Sequence, residues 1–305
     1  MKARKLERAV QLQEISELRR KNVGEYFVNF TTHLRPWLQE LARKYKERGE
    51  FPLVPMVLLP SYYEDMQDKE IAAFAGVLIS GDGIAGHTTF DNVTAFREIL
   101  GGSPWDWFAE RRFVSLSIGK NLHKRTGSVE NWKIAKLMDR LWQECFGKTE
   151  THTTIGQAIK DFSDKQMCSY FEVLTYLLED CGVGDYFYKL RLLLMVLCSG
   201  DGFGLSLWQN HNAQDTLRCP LTPDIRLFLQ TWFPNYRTYG NADDAIRLFG
   251  VGETDFFYAW LGYKELQKRN PKGCSELATR YFAWYDGGIK KKPHQWRAIL
   301  PEIEL

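Results

Sequence analysis

Tyr170-Phe171-Glu172-Val173-Leu174-Thr175-Tyr176-Leu177-Leu178-Glu179-Asp180-Cys181-Gly182-Val183-Gly184-Asp185-Tyr186-Phe187-Tyr188-Lys189-Leu190-Arg191-Leu192-Leu193-Leu194-Met195 is the stretch on which the fold turns. Its first half repeats aromatic and leucine residues at helical spacing. The glycines on either side of Val183 permit a tight turn, and the second half is helical again. Two helices joined by such a turn make a helix-hairpin-helix, whose backbone N–H groups and following helix N-terminus suit a DNA phosphate. Many helix pairs simply turn on glycine, so the turn alone leaves the ligand open.

The flanking sequence is helical too. Ile134, Leu137, Met138, Leu141 and Trp142 mark a one-faced helix upstream. Asp68 reads as the N-cap of a segment, Lys69 to Ile79, that is apolar on nearly every face, as in a helix enclosed by others. Gly81-Asp82-Gly83 reads as its stop. Phe90 to Leu100 forms the next helix, ended by Gly101-Gly102, and Ser103-Pro104 opens a short one with proline in its first turn.

Towards the N-terminus, Lys5 to Asn22 predicts a solvated amphipathic helix and about Gly24 to Arg48 a second. Pro52, Pro55 and Pro60 make 51–60 an extended, buried connector. Only 112–118 alternates with period two, and a lone strand has no partner. The fold class is all-α, in three parts: an N-terminal helical appendage and connector at 1–60, a helical core at 61–270, and a C-terminal helix with a basic tail at 271–305.

Composition bounds the function. The 305 residues, 44% hydrophobic and 26% charged, suffice for a sizeable core. Forty Lys and Arg against 38 Asp and Glu leave a net charge of +2, so the chain is no polycation that coats nucleic acid indiscriminately. Contact with DNA would need local patches. The apolar runs fall short of the roughly 18 to 20 residues of a membrane helix, and the start lacks the pattern of a secretory signal, so the expected location is the cytoplasm, with no membrane partner. The six cysteines stand singly and the histidines at no metal spacing, so the thiols are expected reduced and mostly buried, with no metal site and no cofactor.

Two short echoes stand out. Gly182-Val183-Gly184 has a counterpart in Gly250-Val251-Gly252, and the sequence leaves open which is the true hairpin. Ser80-Gly81-Asp82-Gly83 has one in Ser199-Gly200-Asp201-Gly202. Basic residues near aromatics occur at Arg111-Arg112, Lys120, His123-Lys124-Arg125 and Lys290-Lys291-Lys292 with His294 and Trp296. Trp105, Trp107, Tyr186 and Tyr188 can stack on a base, although core packing is the ordinary use of such rings.

In order along the chain, Asp68 to Phe74, Gly101 to Pro104, Lys189 to Leu192, Gly204 to Trp208, Cys219 to Arg226 and Phe257 to Gly262 resemble the helix-hairpin-helix DNA glycosylase superfamily, most closely a bacterial branch of it. The resemblance covers roughly residues 62 to 262. It implies a two-lobed helical fold with a cleft for a flipped nucleotide, since a stacked base cannot be reached from outside the duplex. It also implies an aspartate at a helix N-terminus after the hairpin, which supports the positive charge that develops on the sugar as the N-glycosidic bond breaks.

The chain departs from that pattern at two positions. Where the related bacterial branch carries aspartate directly after Pro-Leu, this chain has Thr222. The nearest carboxylate is Asp224, followed by Arg226, and its alternative role is to cap the helix from Ile225 to Trp232. At the position of the lysine that lyase-competent members use as a nucleophile stands Tyr186. Lys189 lies one turn later, which favours a glycosylase without lyase activity. Lys189 and Arg191 otherwise read as helix-surface cations.

The expected activity is therefore hydrolysis at a modified or damaged base, with Asp224 and then Lys189 as catalytic candidates. Gly182, Val183, Gly184, Tyr186, Arg191 and Arg226 would face DNA. Two alternatives use the same scaffold. Phage proteins of the alpha-glutamyl/putrescinyl thymine pyrophosphorylase group, to which the chain is also similar, imply transfer of a small amine or amino acid to an activated pyrimidine, where Asp82 or Asp201 would serve. A DNA-binding protein without catalysis is the other, favoured by Thr222.

Overall fold

A computed structural model describes residues 34–49, 54–79, 86–116, 128–147, 153–179, 188–200, 204–208, 217–232, 243, 246, 250–274, 303 and 305. Among the described residues the regular structure is helical and no strand occurs, so the fold class is all-α as the periodicity implies. The chain divides into two compact units, Met1–Glu50 with Cys219–Leu305, and Phe51–Arg218.

In the first unit, α1 (Arg35–Glu47) buries Trp37, Leu38, Leu41, Ala42 and Tyr45 along one stripe. That stripe lies against α12 (Glu253–Arg269), the principal packing partner of α1. Lys46 ties the two helices, its Nζ 2.8 Å from Asp255 and 4.7 Å from the Tyr258 ring centre. α11 (Pro223–Trp232) adds Phe228, whose ring lies 5.3 Å from Phe256 and 5.0 Å from Tyr263. Residues near the two ends of the sequence thus share one core. The contact between α1 and α12 joins two stretches that the sequence reading placed in separate parts.

The second unit is built around α3 (Met66–Ile79), in which Ile71, Ala72, Ala73, Phe74, Ala75, Val77 and Ile79 are sealed from solvent. Burial of each large apolar side chain contributes roughly 1.5–3 kcal/mol. Against α3 pack α2 (Pro55–Leu58), α4 (Gly86–Leu100), α5 (Pro104–Ala109), α7 (Ser128–Phe146), α8 (Ile155–Gln166) and α10 (Tyr188–Cys198). α6 (Phe113–Leu116) and α9 (Tyr170–Glu179) lie outside this first ring. Trp107, Phe108 and Phe113 interlock at centroid distances of 5.6 to 6.0 Å, which makes Trp107 a core residue rather than a base-stacking one. Trp105 packs 5.4 Å from Phe146.

Three local expectations are corrected. Residues 55–62 are helical, not extended: Pro55 occupies the first position of α2 and Pro60 opens a 3-10 turn, Pro60–Tyr62. Proline is excluded from helix interiors but has no N–H to lose in a first turn. Helix α4 begins at Gly86 rather than Phe90. Asp68 lies inside the first turn of α3 and caps a different helix, accepting from the Trp105 N–H at 2.8 Å beside Ser103, the N-cap of α5.

Candidate functional site

In the first unit, Thr222 is the residue that caps α11. Its Oγ1 accepts from the Ile225 N–H at 3.3 Å and its carbonyl from the Arg226 N–H at 2.9 Å. Asp224 is therefore not the cap; it stands in the first turn with its side chain exposed. Lys264 of α12 donates to Asp224 Oδ2 at 3.4 Å, and its Nζ lies 5.0 Å from the Trp260 ring centre. Arg226 is half-buried. A solvated carboxylate at a helix N-terminus, with a lysine and an indole beside it, can accept a proton, orient water or stabilise a nearby positive charge.

The Gly250-Val251-Gly252 turn lies in the same unit. Gly250 adopts φ +61°, with the Arg35 guanidinium 3.1 Å from where a Cβ would stand. Val251 is buried, and the Gly252 carbonyl accepts from Phe256 N–H at 2.8 Å as α12 starts. The first turn of α12 is acidic: Glu253 accepts from the Cys219 N–H at 2.9 Å, and Asp255 holds Lys46. Carboxylates already meet the positive end of this helix, so a phosphate would be repelled there. Gly182, Val183, Gly184 and Tyr186 of the other hairpin lie outside the described residues, as do Asp82 and Asp201.

In the second unit, the expectation of surface cations is overturned. Lys189 is 2% exposed and Arg191 fully buried, on a helix whose sequence is apolar nearly all round and which neighbours enclose. The Arg191 guanidinium lies 5.6 Å from the Phe171 ring centre, as does that of Arg218. Both side chains are enclosed by the protein rather than presented to solvent. Arg111 pairs with Asp139, and Arg112 with Glu110 at 2.6 Å, so this basic pair carries its own counter-charges. The basic runs at 120–125 and 290–292 lie outside the described residues, with His294 and Trp296.

The site that sequence reasoning missed is Glu70. It opens the apolar run of α3 and is 1% exposed. Its Oε1 accepts from the Trp208 indole N–H at 2.8 Å, and both oxygens face the Gly156 N–H, at 3.3 and 3.2 Å, in the first turn of α8. Residues 204–208 bring Trp208 there by folding back on α10: Leu205 N–H donates to the Val196 carbonyl at 2.6 Å and Trp208 N–H to the Leu197 carbonyl at 3.0 Å. The indole is held edge-on to Tyr170, at 5.5 Å, and tilted against Phe74, at 6.0 Å.

Burial raises the Glu70 carboxyl to about 7 from an ordinary 4.5, while the Trp208, Gly156 and Ile155 donors pull the other way. Among the described residues no group of three potential ligands is placed to hold a metal ion, and no helix is long and apolar enough to cross a membrane. The cysteines described are free thiols, with Cys145, Cys219 and Cys274 buried.

No family model matches the chain, and neither a curated protein nor a solved structure matches it.

Proposed function

We propose that the protein binds duplex DNA in the cytoplasm and acts on a modified or damaged base flipped out of the helix, hydrolysing its N-glycosidic bond. What supports this reading most is Asp224, an exposed carboxylate in the first turn of α11 with Lys264 at 3.4 Å. In that role Asp224 orients a water molecule and stabilises positive charge as it grows on the sugar, while Lys264 holds the carboxylate in place. No metal or cofactor enters this reading.

A second reading, DNA binding without catalysis, is favoured by Thr222. The residue at the expected aspartate position serves the helix as its cap. The test is mass-spectrometric detection of free base from duplexes carrying damaged and hypermodified bases, with Asp224→Asn beside the wild type. Release by the wild type alone supports the glycosylase. Equal release by both removes Asp224 from the role, and DNA binding without release supports the second reading. A gain in DNA mass when amines or amino acids are supplied overturns both in favour of transfer.

A further inference from the structure

We propose that Glu70 is a proton-operated clasp, so that gain or loss of one proton at its carboxyl changes how tightly α3 holds Trp208 and the N-terminus of α8. The geometry has three parts. The carboxyl lies within an enclosed helix, it is sealed from water, and its hydrogen bonds reach two separate segments, at Gly156 and Trp208. Gly156 is built into the arrangement: a Cβ there would lie 2.6 Å from Trp208 Nε1 and 2.7 Å from Glu70 Oε1.

The donors that meet the carboxyl are neutral, an indole and main-chain amides, so an ionised Glu70 keeps much of its desolvation cost. The titratable groups that act on it or on its neighbours are Glu144 and Cys145 of α7, Asp161 and Asp164 of α8, Tyr170 of α9 and Cys198 of α10. Burial pushes the Cys145 and Cys198 thiols up to about 12 and the Tyr170 hydroxyl well above its usual range, so all three stay neutral while Glu70 titrates. Loss of the proton to solvent then leaves an anion whose neutral donors offset only part of its desolvation. It is relieved when water reaches the carboxylate, at the expense of the indole and amide contacts.

The test uses the full chain labelled with 5-fluorotryptophan, the Trp208 fluorine resonance being identified by its loss in Trp208→Phe. In the wild type this resonance is expected to titrate between pH 5 and 8.5 with a midpoint near 7, and in Glu70→Gln to stand still. A resonance that is constant in the wild type, or that titrates equally in Glu70→Gln, overturns the proposal. Should Glu70→Gln fail to fold, hydrogen exchange at the Gly156 amide of the wild type decides. Corrected for intrinsic rates, it should be about tenfold or more faster at pH 8.5 than at pH 5.5, one pKa unit being a factor of ten. Equal protection at the two pH values overturns the proposal.

Discussion

The indole N–H of Trp208 donates to Glu70 Oε1 at 2.8 Å, across 138 positions of sequence. Both residues are buried, so the bond closes an apolar shell around two polar groups that would each be costly alone. Trp208→Phe keeps a ring against Tyr170 and Phe74 but removes the donor. The expected loss in chemical denaturation is about 1–3 kcal/mol. The Glu70 carboxyl should also move further up, because a hydrogen bond that favours its charged form is gone; carboxyl-resolved NMR checks this.

Stability should depend on pH in a direction set by Glu70. Its folded value, about 7, exceeds the ordinary 4.5, so the folded chain keeps a proton that the unfolded chain releases. Stability therefore falls as pH rises from about 4.5 to about 7 and is flat beyond, by an amount on the order of 3 kcal/mol if the whole shift is realised. Glu172 and Glu265 are held below the ordinary range, by Ser169 and by Lys268 respectively, and contribute the opposite slope on acidification below that range. Urea midpoints should peak near pH 5. In Glu70→Gln the decline towards neutrality should disappear, and its persistence there would assign it to another group.

Gly156→Ala reverses a general rule. In a helix, alanine is favoured over glycine by about 1 kcal/mol. At this position the added methyl would stand 2.6 Å from Trp208 Nε1, so Glu70 and the indole must part. A net loss of about 1–3 kcal/mol is expected, the cost of overpacking. Thermal melting of the variant beside wild type measures the sign directly, and a gain would mean that the clasp yields at little cost.

How far the sequence could be read depended on the range of each interaction. Helices whose contacts are one-sided, such as α7 with Leu137, Met138 and Leu141, show their buried face as a period. Ser103-Pro104 announces α5 because its cap is three residues away. Glu70 and Trp208 carry no such signal, since their meeting depends on the fold-back of 204–208 onto α10. The one local hint is a glutamate at the mouth of an apolar run. Periodicity likewise gives the faces of α10 but not how many are covered, which is why Lys189 and Arg191 read as surface residues. Asp224 was legible as a carboxylate at a helix N-terminus, while the capping that was its alternative role belongs to Thr222.

Asp68 offers a contained test of a contact between helices. Its Oδ1 accepts from the Trp105 N–H, an amide at the start of α5 that has no partner within its own helix. Asp68→Ala should cost about 1 kcal/mol, as loss of an N-terminal acceptor does. Asp68→Asn retains an acceptor oxygen and should cost less. Denaturation curves of the two variants order them, and equal losses would point to the charge rather than the acceptor.

Lys189 and Arg191 distinguish a buried cation from a phosphate contact. A guanidinium with no exposed surface, beside the Phe171 ring, helps to hold the second unit together. Removing one member of such a buried arrangement strands whatever it pairs with, so Arg191→Ala should lose about 3–5 kcal/mol. Arg191→Met fills most of the volume and is the milder probe. On the proposed DNA-binding reading, the DNA affinity of Arg191→Met and of Lys189→Met measured across a salt series should keep the wild-type slope, since buried side chains do not meet phosphate. A residue that contacts phosphate would instead lower the slope of log K against log salt by about one when removed. A lowered slope with unchanged stability would return these side chains to the DNA-facing surface; lost stability with an unchanged slope places their charge in the core.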